Sequence, residues 1–318
     1  MSAVSAEVLR LLKLKDQKIL DGQAAVAALL AEAKRQILDE LLSVAGDSYS
    51  AAALRQNLAS IEKALQTFES AAGRELTGQL AGAWDLGEDL PSAAARAAGQ
   101  LGMSARMVPQ ALLRTLQDFS AHKISGLAAD AFTKIRGELT LGILGQKTPH
   151  QVYSAIVGAL ESPGIFPSIE ARARVIALTE MGRAYSAASQ LGMEEAAGSV
   201  PGLQKQWWHA GHPRRPRQNH LLLHGQVQPV NKPFLIGSVA LMYPRDPKAP
   251  AREVIACGCV HVPYHPDWGV DDRLPIYNER GEEITRRGQR TGREEDLTGK
   301  FKLGEGKKGG TGKGRQKS

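Results

Sequence analysis

The stretch that decides the fold class covers residues 207–268 and reads WWHAGHPRRPRQNHLLLHGQVQPVNKPFLIGSVALMYPRDPKAPAREVIACGCVHVPYHPDW. It holds both cysteines of the chain, three of its four tryptophans and six of its eight histidines. Proline and glycine interrupt it every few residues and leave only short apolar runs, which is typical of short strands joined by turns. The runs at 221–223, 234–236, 239–242 and 254–255 are the candidate strands. The stretch therefore predicts a small α+β module.

The first half of the chain is helical by periodicity. A narrow apolar seam, typical of one long helix, recurs every seven positions with one shift of four: Leu12, Ile19, Val26, Leu30, Ile37 and Val44. This helix is expected to stop at residues 45–47, Ala-Gly-Asp. The next helix has a 4-3-4-3 spacing and is expected to end near Gly73: Leu54, Leu58, Ile61, Leu65 and Phe68. Two helices joined by a short polar turn predict an antiparallel hairpin.

Three further helices are predicted before residue 200. One covers about 107–139, after an Ala/Gly-rich region at 91–102, and its apolar positions include Leu116 and Ile124. Thr148 and Ser168 each place a capping hydroxyl ahead of a helix, the first ending before Pro163 and the second near Leu191. The apolar seams are suited either to packing within the chain or to oligomerisation and docking.

Together these patterns predict an α+β chain of three parts. A mainly helical docking or bundle region covers 1–145, the small α+β module covers 146–268, and a disordered basic tail covers 269–318. The boundary falls near residue 145 or 200, depending on whether the two capped helices belong to the module, and we include them. At 318 residues and 42% hydrophobic, the chain is long enough for one large domain or two ordinary ones.

The sequence also indicates the cellular compartment in which the protein is expected. No apolar run approaches the roughly 18 to 20 residues that a membrane span needs. The N-terminus MSAVSAEVLRLLKLKDQK is amphipathic, with no hydrophobic segment followed by a cleavage site. Two cysteines separated by one residue cannot form a disulfide framework. We therefore expect no membrane partner and a reducing cytoplasm.

The net charge of +7 is concentrated at the C-terminus. Residues 299–318 hold seven basic side chains against one acidic one, which gives +6: Lys300, Lys302, Lys307, Lys308, Lys313, Arg315 and Lys317. With seven glycines and few large apolar groups, this segment is expected to be disordered in isolation. A flexible polycation is suited to sequence-independent binding of phosphate backbones, and the alternative is a solubilising tail without a specific partner.

Residue types in the module allow two kinds of chemistry. Cys257 and Cys259, with His220 or His261, have the donor atoms of a zinc site. Against this, structural zinc pairs are usually spaced by two or more residues, and two neighbouring thiols on one face of a strand can simply pack. Arg217, His220 and Glu253 are the types that a metal-independent nuclease uses, with His as acid, Glu as base and Arg stabilising the phosphorane. The favoured interpretation of these three is a buried polar network that fixes the turns and strands.

Two further features remain open at this point. The pair Trp207-Trp208, followed by histidines and arginines, is suited to stacking on single-stranded nucleic acid, or else to anchoring a small core with one tryptophan partly exposed. Glu180 follows Thr179 on the second capped helix. If it is buried it needs a partner, for which the arginines around Arg217 are candidates, and the favoured alternative is an exposed Glu180.

The order of these residues resembles the phage head morphogenesis family, the Mu F-like minor head proteins. The resemblance covers roughly residues 146–263 and rests on an ordered set: Thr179, Glu180, Trp208, Arg217, His220, Gly225, Gln226, Phe234, Tyr243, Asp246, Pro247, Glu253, Cys257 and Cys259. The family tends to show Asn-Cys-Arg-Cys at the end, where this chain has Ala256-Cys257-Gly258-Cys259.

The resemblance implies a non-enzymatic virion component that acts in early head assembly. It implies a location in the capsid interior or at the portal vertex, and in the host cytoplasm during assembly. The portal protein is the implied partner, with scaffold or major capsid protein as further candidates, and the basic tail is the candidate contact to packaged DNA. No cofactor is expected.

Overall fold

A computed structural model of the protein describes residues 2–43, 51–100, 110–161, 168–209 and 217–268. Five helices come first: α1 (Ala3–Ser43), α2 (Ala51–Ala97), α3 (Gln110–Ile143), α4 (Pro149–Glu161) and α5 (Ile169–Ala196). Short strands and helices follow: β1 (Gln204–Trp208), α6 (Gln218–Leu222), β2 (Val227–Pro229), β3 (Phe234–Ile236), β4 (Val239–Leu241), α7 (Ala251–Val254) and β5 (Val260–Tyr264). The predicted α+β class is confirmed. The predicted helix stop at 45–47 and the basic tail lie outside the described residues.

Helices α1 and α2 form the antiparallel hairpin that the sequence predicts. Lys18 of α1 lies against Gly82 of α2, and Gly22 lies near Gln79, so ascending numbers on one helix meet descending numbers on the other. The described positions of the predicted seam are all buried: Leu12, Ile19, Val26, Leu30 and Ile37. Within the described ranges, no helix combines the length and apolar composition needed to cross a bilayer.

The predicted end of the second helix near Gly73 was wrong, because α2 continues to Ala97 through several glycines and Pro91. The Ala/Gly-rich region from residue 91 thus begins with the last turns of α2. One of the glycines permits close helix packing, since a Cβ at Gly87 would lie 2.3 Å from the Tyr185 carbonyl oxygen of α5. Burial of Trp84 and its neighbours against other helices outweighs the weak helix propensity of glycine.

The capping signals located the starts of α4 and α5 correctly. Ser168 Oγ accepts from the Ala171 N–H at 3.0 Å. Thr148 and Gln151 form a reciprocal capping box. Thr148 Oγ1 accepts from the Gln151 N–H at 3.3 Å, and Gln151 Oε1 accepts from the Thr148 N–H at 2.8 Å. Helix α5 continues past the predicted end near Leu191, and α3 continues past the predicted end at residue 139 to Ile143.

The strands form two antiparallel sheets, one of order β2-β1-β5 and one of β3 and β4. The predicted strands at 234–236 and 239–242 are confirmed as β3 and β4. Those at 221–223 and 254–255 were wrong, because these runs end the short helices α6 and α7. A short apolar run fits a helix turn as well as a strand, so periodicity alone does not separate them.

Strand β1 separates two cores, because neighbouring strand residues point to opposite faces. Trp208 packs into the main core, which includes helix residues from Val4 onward and so has members on both sides of residue 145. Trp207 packs into a smaller second core: Trp207, Leu223, Phe234, Ile236, Leu241, Cys257 and Cys259. Both tryptophans are buried, so the base-stacking hypothesis was wrong. In the alternative, the core anchor is confirmed, but the expectation that its neighbour is partly exposed was also wrong.

Candidate functional site

The second core contains a cluster of thiols and imidazoles. Cys257 and Cys259 lie in the loop before β5, and both are buried, free thiols. Their Sγ atoms lie 3.4 and 3.6 Å from Nδ1 of His220 on α6. Cys259 Sγ also lies 3.6 Å from Nδ1 of His209, which directly follows β1. The potential ligand atoms of His220 and the two cysteines all lie within 4.8 Å of one another.

His220 is oriented by Glu253 of α7. The distance from His220 Nε2 to Glu253 Oε2 is 3.0 Å, and Glu253 also accepts from Asn219 Nδ2 and Arg252 Nε. Burial raises the pKa of Glu253, but these hydrogen bonds outweigh burial and hold the pKa below its ordinary value. A carboxylate only accepts hydrogen bonds, so Nε2 of His220 carries the proton. The other ring nitrogen of His220, Nδ1, faces the two sulfur atoms.

The two thiols have opposite acid–base behaviour. The hydrogen bond with Cys259 holds the pKa of Cys257 well below its ordinary value, and His220 acts in the same direction. Burial raises the pKa of Cys259 well above its ordinary value. Because two thiolates side by side repel each other, loss of a proton from Cys257 opposes loss of a proton from Cys259.

Arg217 lies beside this cluster and binds the backbone of the loop that carries the cysteines. Its Nη2 donates to the Ile255 carbonyl oxygen at 2.6 Å. Of the three residues that a nuclease would use, the structure thus brings His220 and Glu253 into direct contact and directs Arg217 to the backbone. Gly225, another motif residue, has a φ of 84° and donates its N–H to the Trp207 carbonyl at 2.8 Å. That left-handed conformation favours glycine.

A buried arginine connects the cysteine loop to helix α5. Arg245, with a φ of 68°, is 1% exposed, and its Nη1 donates to the carbonyls of Gly182 and Cys259 at 3.1 and 3.2 Å. The next residue, Asp246, holds the turn by accepting from the N–H groups of Met242 and Lys248, both at 2.9 Å. The Tyr-Pro-Arg-Asp-Pro motif thus acts through a buried guanidinium and a turn-forming carboxylate.

Glu180 is buried, so the expectation of an exposed Glu180 was wrong. The candidate partners Arg214 and Arg215 lie outside the described residues. Glu180 is paired with Arg183, one turn further along α5. Burial raises the pKa of Glu180 and the pairing with Arg183 opposes this. Arg183 Nε also donates to the Arg245 carbonyl at 3.2 Å. The spacing of three residues between the ion-pair partners was a sequence signal that could have identified the pair.

The structure does not bring His261 to the cysteines, so the alternative metal ligand set with His261 was wrong. His261 lies on β5, is fully buried and stacks against Tyr243 with ring centroids 6.2 Å apart. Burial, and secondly Lys205, hold the pKa of His261 well below its ordinary value. The cluster includes His209 instead, which follows the central strand β1 and which the sequence did not mark as a ligand.

Comparisons with known proteins give one partial likeness. The uncharacterized protein YqbB of Bacillus subtilis (strain 168) is 40% identical over 119 residues. This match covers 36% of the chain and 36% of YqbB, so the chain matches well under two thirds of its relative's length. No family model matches the chain, and no solved structure matches it.

Proposed function

We propose that the protein is a minor head protein of a tailed phage that acts in head assembly at or near the portal. The observation that supports this best is the convergence of the motif residues. His220, Glu253 and the two cysteines meet in one buried cluster, and Arg245 bonds that cluster to α5. These residues are far apart in the chain, so their convergence supports a resemblance that covers the whole module rather than isolated short motifs.

Burial favours a structural role for this network over catalysis. His220 is 2% exposed and Glu253 6% exposed, and they are bonded to each other. A general acid and base must reach the phosphate on which they act. The guanidinium of Arg217, which would stabilise the phosphorane, binds a carbonyl of the protein itself. We therefore propose that the protein is not an enzyme and that the network fixes the module for assembly.

Association with the portal tests the assembly role. The full chain is coexpressed with the portal protein encoded in the same genome, and the purified rings are analysed by size-exclusion chromatography and mass spectrometry. The chain is expected to elute with the ring, and a chain coexpressed with the major capsid protein alone is the control for non-specific association. A folded chain that separates from intact rings, and that is missing from assembled proheads, would contradict the proposal.

Cleavage assays test the nuclease alternative. Labelled DNA and RNA are incubated with the wild-type chain, with His220→Ala and with Glu253→Gln. We expect no cleavage above that of a preparation without the protein. Cleavage that disappears in both variants, while circular dichroism shows both variants folded, would establish the enzyme and overturn the structural role of these residues.

A further inference from the structure

We propose that His220, Cys257 and Cys259 bind one Zn²⁺ ion and that His209, whose Nδ1 lies 3.6 Å from Cys259 Sγ, completes a closed tetrahedral site as the fourth ligand. The ligand atoms are Nδ1 of each histidine and Sγ of each cysteine. The site does not depend on the proposed role in head assembly, because it follows from the local geometry of the second core.

The three recorded sulfur–nitrogen distances match the edges of a tetrahedron around zinc. With Zn–S at about 2.3 Å and Zn–N at about 2.1 Å, adjacent sulfur and nitrogen ligands lie about 3.6 Å apart. The observed distances are 3.4 Å from Cys257 Sγ to His220 Nδ1, and 3.6 Å from Cys259 Sγ to Nδ1 of His220 and of His209. Three of the four sulfur–nitrogen edges of such a site are therefore already formed.

Hydrogen bonding alone does not account for this arrangement. The single lone pair of His220 Nδ1 can accept one good hydrogen bond, yet two sulfur atoms approach it. Cys259 Sγ in turn lies at the same distance from two imidazole nitrogens. Two sulfur atoms and two imidazole nitrogens that approach one another in this way are the donor types that zinc binds.

Glu253 supplies the outer contact that zinc-binding histidines usually have. Metal-ligating histidines almost always donate their second ring N–H to a carboxylate, a carbonyl or water, which fixes the tautomer. His220 Nε2 lies 3.0 Å from the Glu253 carboxylate, and this leaves Nδ1 for the metal. The His209 N–H donates to His224 Nδ1 at 2.8 Å, which holds the backbone of that ligand in place.

The donor set and its burial select structural zinc. Two thiolates and two imidazoles form the Cys₂His₂ set typical of closed structural zinc sites, and each thiol proton is released on binding. The cysteines and His220 are 2% exposed or less and His209 is 6% exposed, so no position is open to a substrate. The short Cys-x-Cys spacing is accommodated by the loop, in which Ala256 takes a φ of 54° directly before Cys257.

A metal ion would also stabilise the second core. This core comprises seven buried residues around strands of three residues each, a small apolar volume for holding several loops. Zinc would join the end of β1, helix α6 and the loop before β5, which are far apart in sequence. In small modules of this kind, the free energy of zinc binding becomes part of the free energy of folding.

Metal analysis of the full chain tests the site. The protein is purified without chelators, dialysed and analysed by plasma mass spectrometry, and we expect about one zinc per chain. Cys257→Ser and Cys259→Ser are each expected to retain less than a tenth of this. His261→Phe is the matched control, since it changes a buried histidine outside the cluster and is expected to leave the zinc content unchanged. Full zinc content in either serine variant would overturn the proposal.

Two further measurements keep the test decisive if a serine variant fails to fold. Co²⁺ added to the reduced, zinc-free wild-type chain is expected to give the visible bands of tetrahedral cobalt together with a thiolate charge-transfer band. Glu253→Gln keeps all four ligands and is expected to lower zinc affinity by about 10- to 100-fold in competition with a chromophoric chelator. A folded, reduced wild-type chain that contains no zinc and takes up no Co²⁺ would refute the site.

Discussion

Replacing Gly182 with alanine is expected to destabilise the protein, although alanine normally stabilises a helix. Gly182 lies within α5, where a glycine is usually less favourable than alanine by about 0.5–1 kcal/mol. A Cβ at this position, however, would lie 2.4 Å from Cζ and 2.6 Å from Nε of Arg245. The fully buried guanidinium would have to move away from the helix.

The cost follows from the bonds that Arg245 would lose. Its Nη1 donates to the carbonyls of Gly182 and Cys259, and each hydrogen bond from a charged group contributes about 1.5–3 kcal/mol. Arg245 is 1% exposed, so water cannot replace these partners unless the structure opens. After subtracting about 1 kcal/mol for improved helix propensity, we expect Gly182→Ala to lower the free energy of unfolding by about 2–5 kcal/mol.

Denaturant unfolding followed by circular dichroism measures this cost. Gly78→Ala is the matched control, because a Cβ at Gly78, within α2, meets nothing within 4 Å and is expected to stabilise by about 0.5–1 kcal/mol. In an Arg245→Met background, Gly182→Ala is expected to cost less than about 1 kcal/mol, since the flexible thioether can yield. The reasoning is refuted if Gly182→Ala behaves like Gly78→Ala, or if its cost is unchanged by Arg245→Met.

Three more predictions concern other parts of the chain. Ala256 has a φ of 54°, a conformation that asparagine tolerates better than alanine. Ala256→Asn is therefore expected to raise the free energy of unfolding by about 0.5–1 kcal/mol, and a loss of stability would contradict this. Burial lowers the pKa of Lys205 from 10.5 to about 8, so between these values the unfolded chain binds more protons and stability rises with pH. Between pH 8 and 10.5, the free energy of unfolding is expected to rise by about 3 kcal/mol more in the wild-type protein than in Lys205→Met. Parallel pH profiles of the two proteins would rule out this contribution of Lys205. Deletion of residues 299–318 is expected to reduce DNA affinity at low salt and to change the melting temperature little. Fluorescence anisotropy measures the affinity, and an unaltered affinity would disprove a role for the tail in DNA binding.

The helical elements were predictable where the signal was local. The seam of α1 and the caps at Thr148 and Ser168 depend on residues within a few turns of one another, and each was located correctly. The length of α2 was not predictable from the sequence. Gly87 is explained by its close approach to the Tyr185 carbonyl oxygen, which belongs to another helix. A glycine that ends a helix and a glycine that lets two helices touch look the same in one sequence.

Strand β1 was missed for a related reason. Its sequence, Gln-Lys-Gln-Trp-Trp, has the composition of a polar segment, yet it is the central strand of its sheet and Lys205 is fully buried. The Lys205 ammonium donates to Gln190 Oε1 and to the Met242 carbonyl, at 3.0 and 2.6 Å. Partners distant in sequence make this burial possible, so hydropathy along the chain does not indicate it.

The residues of the candidate site were predicted better than their partnerships. His220, Glu253 and the cysteines were singled out by type, and they do meet. Glu180 was expected to be exposed, and its ion pair with Arg183 on the same helix face was not anticipated. Side-chain type thus indicates which residues need a partner when buried, while the tertiary structure decides which partner each receives.

Arg245 explains why the cysteine loop and the helices are best regarded as one unit. Its guanidinium binds the carbonyl of Cys259 on one side and that of Gly182 on the other, so the ligand loop and α5 share one buried charge. Strand β1 makes the same link in apolar form, with Trp207 in the second core and Trp208 in the main core. A displacement of the cysteine loop therefore disturbs a buried cation and a central strand together. This coupling lets a cluster of four side chains influence the packing of the long helices.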